Sequence, residues 1–420
     1  VPILNAYALA ILAALLADFL LERTADLLNL RALRKPPPEE LAGLYDPATY
    51  RRSQEYTRAR TRLEVVASTA GLVIFLGFWG AGGFAWLDRW LRGLGPVGDW
   101  GPVGVGLLYL GALGLAAGIL SLPAAVYSTF VIEERFGFNR TTPKTFVLDL
   151  VKGLVVSVVV GAPLLASVLW LFDRLDQRAW LVCWAVATVY TLFVQWLGPR
   201  VILPLFNKLE PLEEGALRDA VVDYARSEGY ALDGVTVMDA SRRSSKANAF
   251  FTGFGRNKRL TLFDTLVEKL STPEVVAVVA HEMGHYKRGH IVRGIVLGVV
   301  HQGAVLFLLS LVLHRDGLYR AFGMTGTPLY AGLLFFTLLM TPVERFLGIA
   351  LNGVMRRHEF EADRFAAETT GRPESLISGL KALTKDHLSN LTPHPLDVLL
   401  HHTHPPLDRR IAALRELATS

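Results

Sequence analysis

Hydrophobic residues along this chain gather into long runs separated by charged stretches, and the runs dictate the architecture. Seven stand out, at 1–21, 65–87, 103–132, 153–172, 179–205, 291–313 and 328–342. About 20 apolar residues in a helix cross roughly 30 Å of hydrocarbon, so all but the last are long enough to span a bilayer. The third and fifth run long, which predicts tilt or protrusion. The seventh is short and resumes at 346–350 after Glu344 and Arg345. The pattern predicts an all-α membrane protein with seven transmembrane helices.

The pattern changes at 206–290, the longest polar insertion between runs. Alternating and β-branched stretches at 234–238, 248–254 and 259–263 predict three short strands, with a turn at 255–258 between the last two. They make a small sheet with an exposed edge for an extended peptide, or they simply brace the loop. Ser271, Thr272, Pro273 and Glu274 then open a helix, with an N-cap hydroxyl, a first-turn proline and a capping-box glutamate. The chain thus divides into 1–205 with five spans, 206–290 with the polar segment, 291–345 with two spans, and 346–420.

Composition agrees with the membrane reading: 51% hydrophobic, 19% charged, mean hydropathy +0.35. The single cysteine, Cys183, excludes a disulfide framework and a thiolate metal site. Net charge is +5, yet the basic residues lie in loops between apolar runs, so topology explains them and no nucleic-acid partner is expected. Residues 22–64 carry nine Arg and Lys, and the third loop carries Arg135, Arg140, Lys144 and Lys152. The alternate loops hold only pairs such as Arg89 with Arg92. The positive-inside rule then puts the N-terminus outside and the large polar segments in the cytoplasm.

The helix opened at Ser271 carries the chemistry. Val275, Val276, Val278, Val279 and Ala280 make it apolar almost all round, and His281-Glu282-Met283-Gly284-His285 follows. Residues i and i+4 share a helix face, so both imidazoles can take one metal ion, while Glu282 is set one residue round, toward a water on that ion. Ionisable groups in so dry a helix are costly unless paired or metal-bound. His290 reads as a structural residue facing loop or headgroup. A hydrolytic zinc site needs a third protein ligand. The source is the stretch from Arg356 to Asp363, where His358, Glu359 and Glu361 remain alternatives; Glu359 and Asp363 share a face, and Glu361 lies about 200° round from Glu359.

These motifs, with Ser245-Lys246-Ala247-Asn248-Ala249-Phe250, His402-Thr403-His404-Pro405-Pro406, Glu134 to Asn139 and Pro204 to Asn207, resemble the integral-membrane CAAX prenyl proteases of type 1. The likeness runs in matching order over essentially the whole chain. It implies seven membrane helices enclosing a large chamber, with a zinc metallopeptidase domain and a small β-sheet at the cytoplasmic side. It implies one Zn2+ per chain on His281, His285 and Glu359, with Glu282 as general base and Asp363 orienting a ligand imidazole. Asn248 and Ala249 would hold the substrate backbone, and His404 would lie near the scissile carbonyl; otherwise His404 only starts the following helix. His394, His401 and His402 read as solvent-facing.

The expected activity is a zinc metalloendopeptidase cutting near the C-terminus of hydrophobic or prenylated substrates. A membrane quality-control protease would use the same metal site on longer unfolded substrates. A non-catalytic scaffold or transporter, with Gln302, His301 and Glu344 as pathway residues, is opposed by the intact Glu282. The expected partners are a peptide or protein substrate, bare or lipid-modified, and membrane lipids, with the chain a monomer. An Arg- and Ala-rich composition suggests a bacterial inner membrane.

Overall fold

The computed structural model describes residues 2–175, 178–230, 234–252 and 259–419. Among them, six helices are long and apolar enough to cross a bilayer: Pro47–Gly80, Gly101–Glu133, Pro143–Leu175, Ala179–Phe206, His290–Val312 and Leu329–Thr370. Protein covers only 6% to 17% of their apolar stretches, which leaves lipid to cover the rest.

Three sequence expectations change here. The first run folds as the helix Ala6–Ala32 but falls outside the six, because Asp18, Glu22, Arg23 and Asp26 interrupt its apolar length. The second run is divided. Its helix starts back at Pro47, where Asp46 caps it, and stops at Gly80; a separate helix, Gly83–Gly93, follows. The seventh run is not short. Leu329–Thr370 is one 42-residue helix that carries the span through Pro342 and on past Asp363. Arg345 does not break it, because Asp18 and Glu22 of the first helix each approach its guanidinium to 2.6 Å.

The polar segment builds a four-stranded sheet in the order β1-β2-β4-β3, with β1 at Leu209–Pro211, β2 at Val235–Met238, β3 at Ala249–Thr252 and β4 at Arg259–Phe263. β2 and β4 run parallel, and β3 pairs antiparallel to β4 in the register Ala249 to Leu262. The three expected strands are present, although the turn at 255–258 lies outside the described residues. β1 was not expected; it pairs with β2 at the far edge, which leaves β3 as the edge nearest the HExxH helix. Leu260, Leu262 and Leu266 pack with Val275, Val279 and Met283, and with Phe365, Ile411 and Leu414, in one core.

The approach to β3 is fixed to the membrane helices by polar contacts. Arg243 donates to both carboxylate oxygens of Asp149, at 2.7 and 3.0 Å, and to the side-chain oxygen of Asn207. Lys246 donates to Glu133 at 3.0 Å and to the Tyr56 hydroxyl at 2.7 Å. Asn139 bridges to Ser244. The asparagines of two loop motifs thus set where residues 244–249 lie.

Candidate metal centre

The helix Thr272–Lys287 starts as its sequence requires, with the Glu274 carboxylate accepting the Ser271 N–H at 2.8 Å. Its face carrying His281 and His285 packs against the 42-residue helix at Gly284. A Cβ there would lie 3.0 Å from the Ala362 Cα and 3.1 Å from its carbonyl oxygen. Glycine is what lets the two backbones approach this closely, and the approach brings Glu359 to the histidines.

The Nε2 atoms of His281 and His285 are 3.2 Å apart. Glu359 Oε1 lies 3.2 Å from His285 Nε2, and its Oε2 lies 3.4 Å from His281 Nε2. Each residue offers one ligand atom, and these atoms lie within 4.8 Å of one another. Glu359 is buried, and its Oε2 has no hydrogen-bond partner among the described residues. A buried carboxylate whose two oxygens each face one ring nitrogen suits a cation among them; two nitrogens and a carboxylate are the donor set of a hydrolytic zinc site. Glu361, separated from Glu359 by helix geometry alone, turns away and holds His290 instead.

Asp363 accepts from His281 Nδ1 at 2.8 Å, which puts the ring proton on Nδ1 and turns the Nε2 lone pair toward Glu359 and His285. Burial works against a charged His281, yet the hydrogen bonds to Asp363 and Glu359 outweigh it and hold its pKa up at about 9 without metal. Burial raises the Glu282 carboxyl above its ordinary value, and the charge of Glu359 adds to that rise, while His281 and His285 oppose it. His404 Nε2 stands 3.4 Å from Glu359 Oε1. Ala249 is buried at the head of β3, and Asn248 is exposed just before it, with its side-chain oxygen accepting the Ala249 N–H at 2.8 Å. A cavity of about 1190 Å³ is lined by Asn248, His404 and Arg410, and extends past Tyr56 and Arg60. Asp363 and His404 therefore contact the histidine–glutamate cluster directly, and Asn248 shares a cavity wall with His404.

The structure revises the reading of His290, His401 and His402 and adds Arg410. His290 is buried rather than facing loop or headgroup, with its Nδ1 3.0 Å from His285 Nδ1. Arg410 is buried too, and donates to Asp363 through Nε at 2.8 Å and Nη2 at 2.6 Å; its Nη1 is 3.4 Å from Glu359 Oε2. Its sequence signal was present: Leu407, Ile411, Leu414 and Leu417 form one apolar stripe, and Arg410 falls on it. His401 and His402, read as solvent-facing, are paired with Glu22 at 3.0 Å and Asp397 at 3.2 Å, and both line the cavity.

Residues 26–208 match the family model described as CAAX prenyl protease N-terminal, five membrane helices, and residues 211–418 match peptidase family M48. An Arabidopsis thaliana protein named CAAX prenyl protease 1 homolog is 32% identical, covering 94% of both chains. CAAX prenyl protease 1 of Saccharomyces cerevisiae is 31% identical over 90% of this chain and 88% of its own. The crystal structure of S. mikatae Ste24p superposes with a TM-score of 0.93 at 31% identity, covering 98% of this chain and 99% of that one.

Proposed function

The chain belongs to the CAAX prenyl protease 1 family of M48 peptidases and is a multi-pass membrane metalloendopeptidase, and we propose that it is a zinc enzyme acting near the C-terminus of hydrophobic or prenylated substrates. The observation that carries the metal reading is the meeting of one ligand atom each from His281, His285 and Glu359 within 4.8 Å, with no hydrogen bond to Glu359 Oε2 among the described residues. Zinc there would supply an activated water and Lewis-acid stabilisation of the carbonyl oxygen. Glu282 takes the proton from the attacking water on its carboxylate and passes it to the leaving amine. His404 donates from Nε2 to the carbonyl oxygen as charge develops. Asp363, itself held by Arg410, keeps the His281 tautomer.

The backbone of β3 offers its free edge to an extended substrate, with Asn248 and Ala249 at its head. What supports a hydrophobic or lipid-modified substrate is the family together with a cavity lying between the first two long helices and the metal centre. Loop charge supports a cytoplasmic metal centre and an outside N-terminus, and the change of family model between 208 and 211 supports a division near 205, whereas one helix runs through 345. The relatives named above are eukaryotic, so a bacterial inner membrane rests on composition alone.

Metal analysis of the detergent-purified protein, alongside peptidase assay of Glu282→Gln, tests the mechanism. We expect one zinc per chain in both proteins and activity lost only in the variant, by roughly 10²- to 10⁴-fold for removal of a general base. Activity that survives the substitution refutes it.

A further inference from the structure

His281 has Asp363 behind it, and the structure gives His285 an equivalent support that rests on the ligand reading above. The HExxH helix ends at Lys287, and Gly289, at φ +72°, turns the chain so that the next helix starts with His290. That turn folds His290 back under His285, with the two Nδ1 atoms 3.0 Å apart. On its other side, His290 Nε2 lies 2.9 Å from Glu361 Oε2. His358 stacks on the His290 ring, with centroids 3.9 Å apart and planes 6° apart, which fixes its orientation. With both rings neutral, one proton arrangement satisfies the contacts of His290. Glu361 can only accept, so His290 donates from Nε2 and its Nδ1 is left as an acceptor. His285 then donates from Nδ1, which leaves the Nε2 lone pair pointing at Glu359 and His281.

We propose that His290, held by Glu361, is a positioning residue that fixes the tautomer and ring direction in which His285 binds zinc. Each ligand histidine then has its own acceptor: an aspartate for His281, and a histidine anchored to a glutamate for His285. The second line runs outward to the surface, where Glu361 is half-exposed and Arg293 Nη1 lies 3.6 Å from it.

The test uses the full chain in detergent, with zinc affinity read by chelator competition and melting temperature read on the zinc-stripped proteins. His290→Ala should bind zinc roughly 10- to 100-fold more weakly, the range for lost outer partners of ligand histidines. His290→Gln keeps a side-chain acceptor and should recover much of that loss. Glu361→Ala should weaken binding by a smaller factor, about 3-fold, and Glu361→Gln less again. Wild-type affinity in His290→Ala overturns the proposal. So does equal weakening in His290→Ala and His290→Gln that follows the melting temperature of the stripped proteins, since packing alone would produce that. If His290→Ala does not fold, unchanged affinity in Glu361→Ala overturns it instead. Glu359→Ala, run in parallel, separates the two readings: zinc kept there refutes the ligand set, whereas zinc lost there and kept in His290→Ala refutes only the positioning role.

Discussion

Replacing Gly284 by alanine tests the contact on which the metal centre depends. The added Cβ would sit 3.0 Å from the Ala362 Cα, 3.1 Å from its carbonyl oxygen and 3.2 Å from the Phe365 Cβ. Carbon atoms rest comfortably at about 3.5–4.0 Å, so the two helices must separate by roughly half an ångström. Two of the three obstacles are backbone atoms, and no rotamer change removes them. Overpacking of this kind costs about 1–3 kcal/mol. Alanine returns about 1 kcal/mol of helix propensity. The net loss, about 0–2 kcal/mol, leaves the fold intact. The site has less tolerance. Glu359 lies one turn before Ala362 on the retreating helix, and metal–ligand distances hold to about 0.2 Å. A displacement of 1 Å near a reacting centre can cost about 10²-fold, so half of that predicts roughly tenfold in kcat/KM, with weaker zinc binding beside it. Chelator competition and peptidase kinetics on Gly284→Ala measure both. Wild-type zinc affinity and activity in a protein that melts higher than the parent would refute the reasoning, because propensity alone would then have acted.

Four further outcomes are expected. Glu359→Ala should lose zinc and activity, whereas Glu361→Ala should keep most of both, since the two carboxylates leave the helix on different sides; metal analysis showing the reverse would exchange their roles. In zinc-stripped protein the His281 pKa is raised from 6.5 to about 9, so its pairing with Asp363 and Glu359 stabilises fully below about pH 6.5 and is lost as pH rises through about 9. Zinc affinity should tighten across that window as the competing proton leaves, and a flat affinity from pH 6.5 to 9 refutes the pairing. At saturating zinc, activity should fail on the acid side before occupancy does, because the attacking water needs a deprotonated Glu282; coincident curves would make metal loss the whole cause. A peptide with a lipid or long apolar anchor should show a lower KM than its bare equivalent at similar kcat, since each buried methylene contributes about 0.8 kcal/mol to localisation. Equal kinetics for the two peptides would remove the case for a lipidated substrate.

What could be read from the sequence was what local periodicity controls. His281 and His285 are legible because four residues make one helical turn, and the same rule separates Glu359 from Glu361 without saying which one faces the metal. Glu359 could not be chosen from the residues alone, because the choice depends on how the 42-residue helix is rotated against Gly284, a contact nearly eighty positions distant in the chain. His290 was misjudged for a related reason. Extending the helical wheel past Lys287 points it away, but the helix ends there and the turn at Gly289 brings His290 against His285. β1 escaped notice because three residues ending in Pro211 carry no alternation, and only pairing with β2 makes them a strand. Arg410 was the omission with a usable signal, a cation on an apolar stripe, which a buried carboxylate had to answer.

The long helix also explains why the metal centre belongs to the membrane domain and not only to the polar segment. One continuous rod carries the final span, Arg345 and Glu359. From Arg345 to Glu359 is about four turns, roughly 21 Å of rise. Arg345 is held at 2.6 Å by both Asp18 and Glu22 of the first helix, and Glu22 also lies 3.0 Å from His401, at the end of the short helix just before His404. The first helix therefore ties together the two C-terminal pieces that meet at Glu359. Asp18, Glu22 and Arg23 deny it the uninterrupted apolar length of the other spans, yet Asp18 and Glu22 set the height of Glu359 and the approach of His404. Polar groups inside a membrane bundle are costly to keep. Here their partners lie on the elements whose relative position the site requires, so the cost falls where loss of position would break the metal centre.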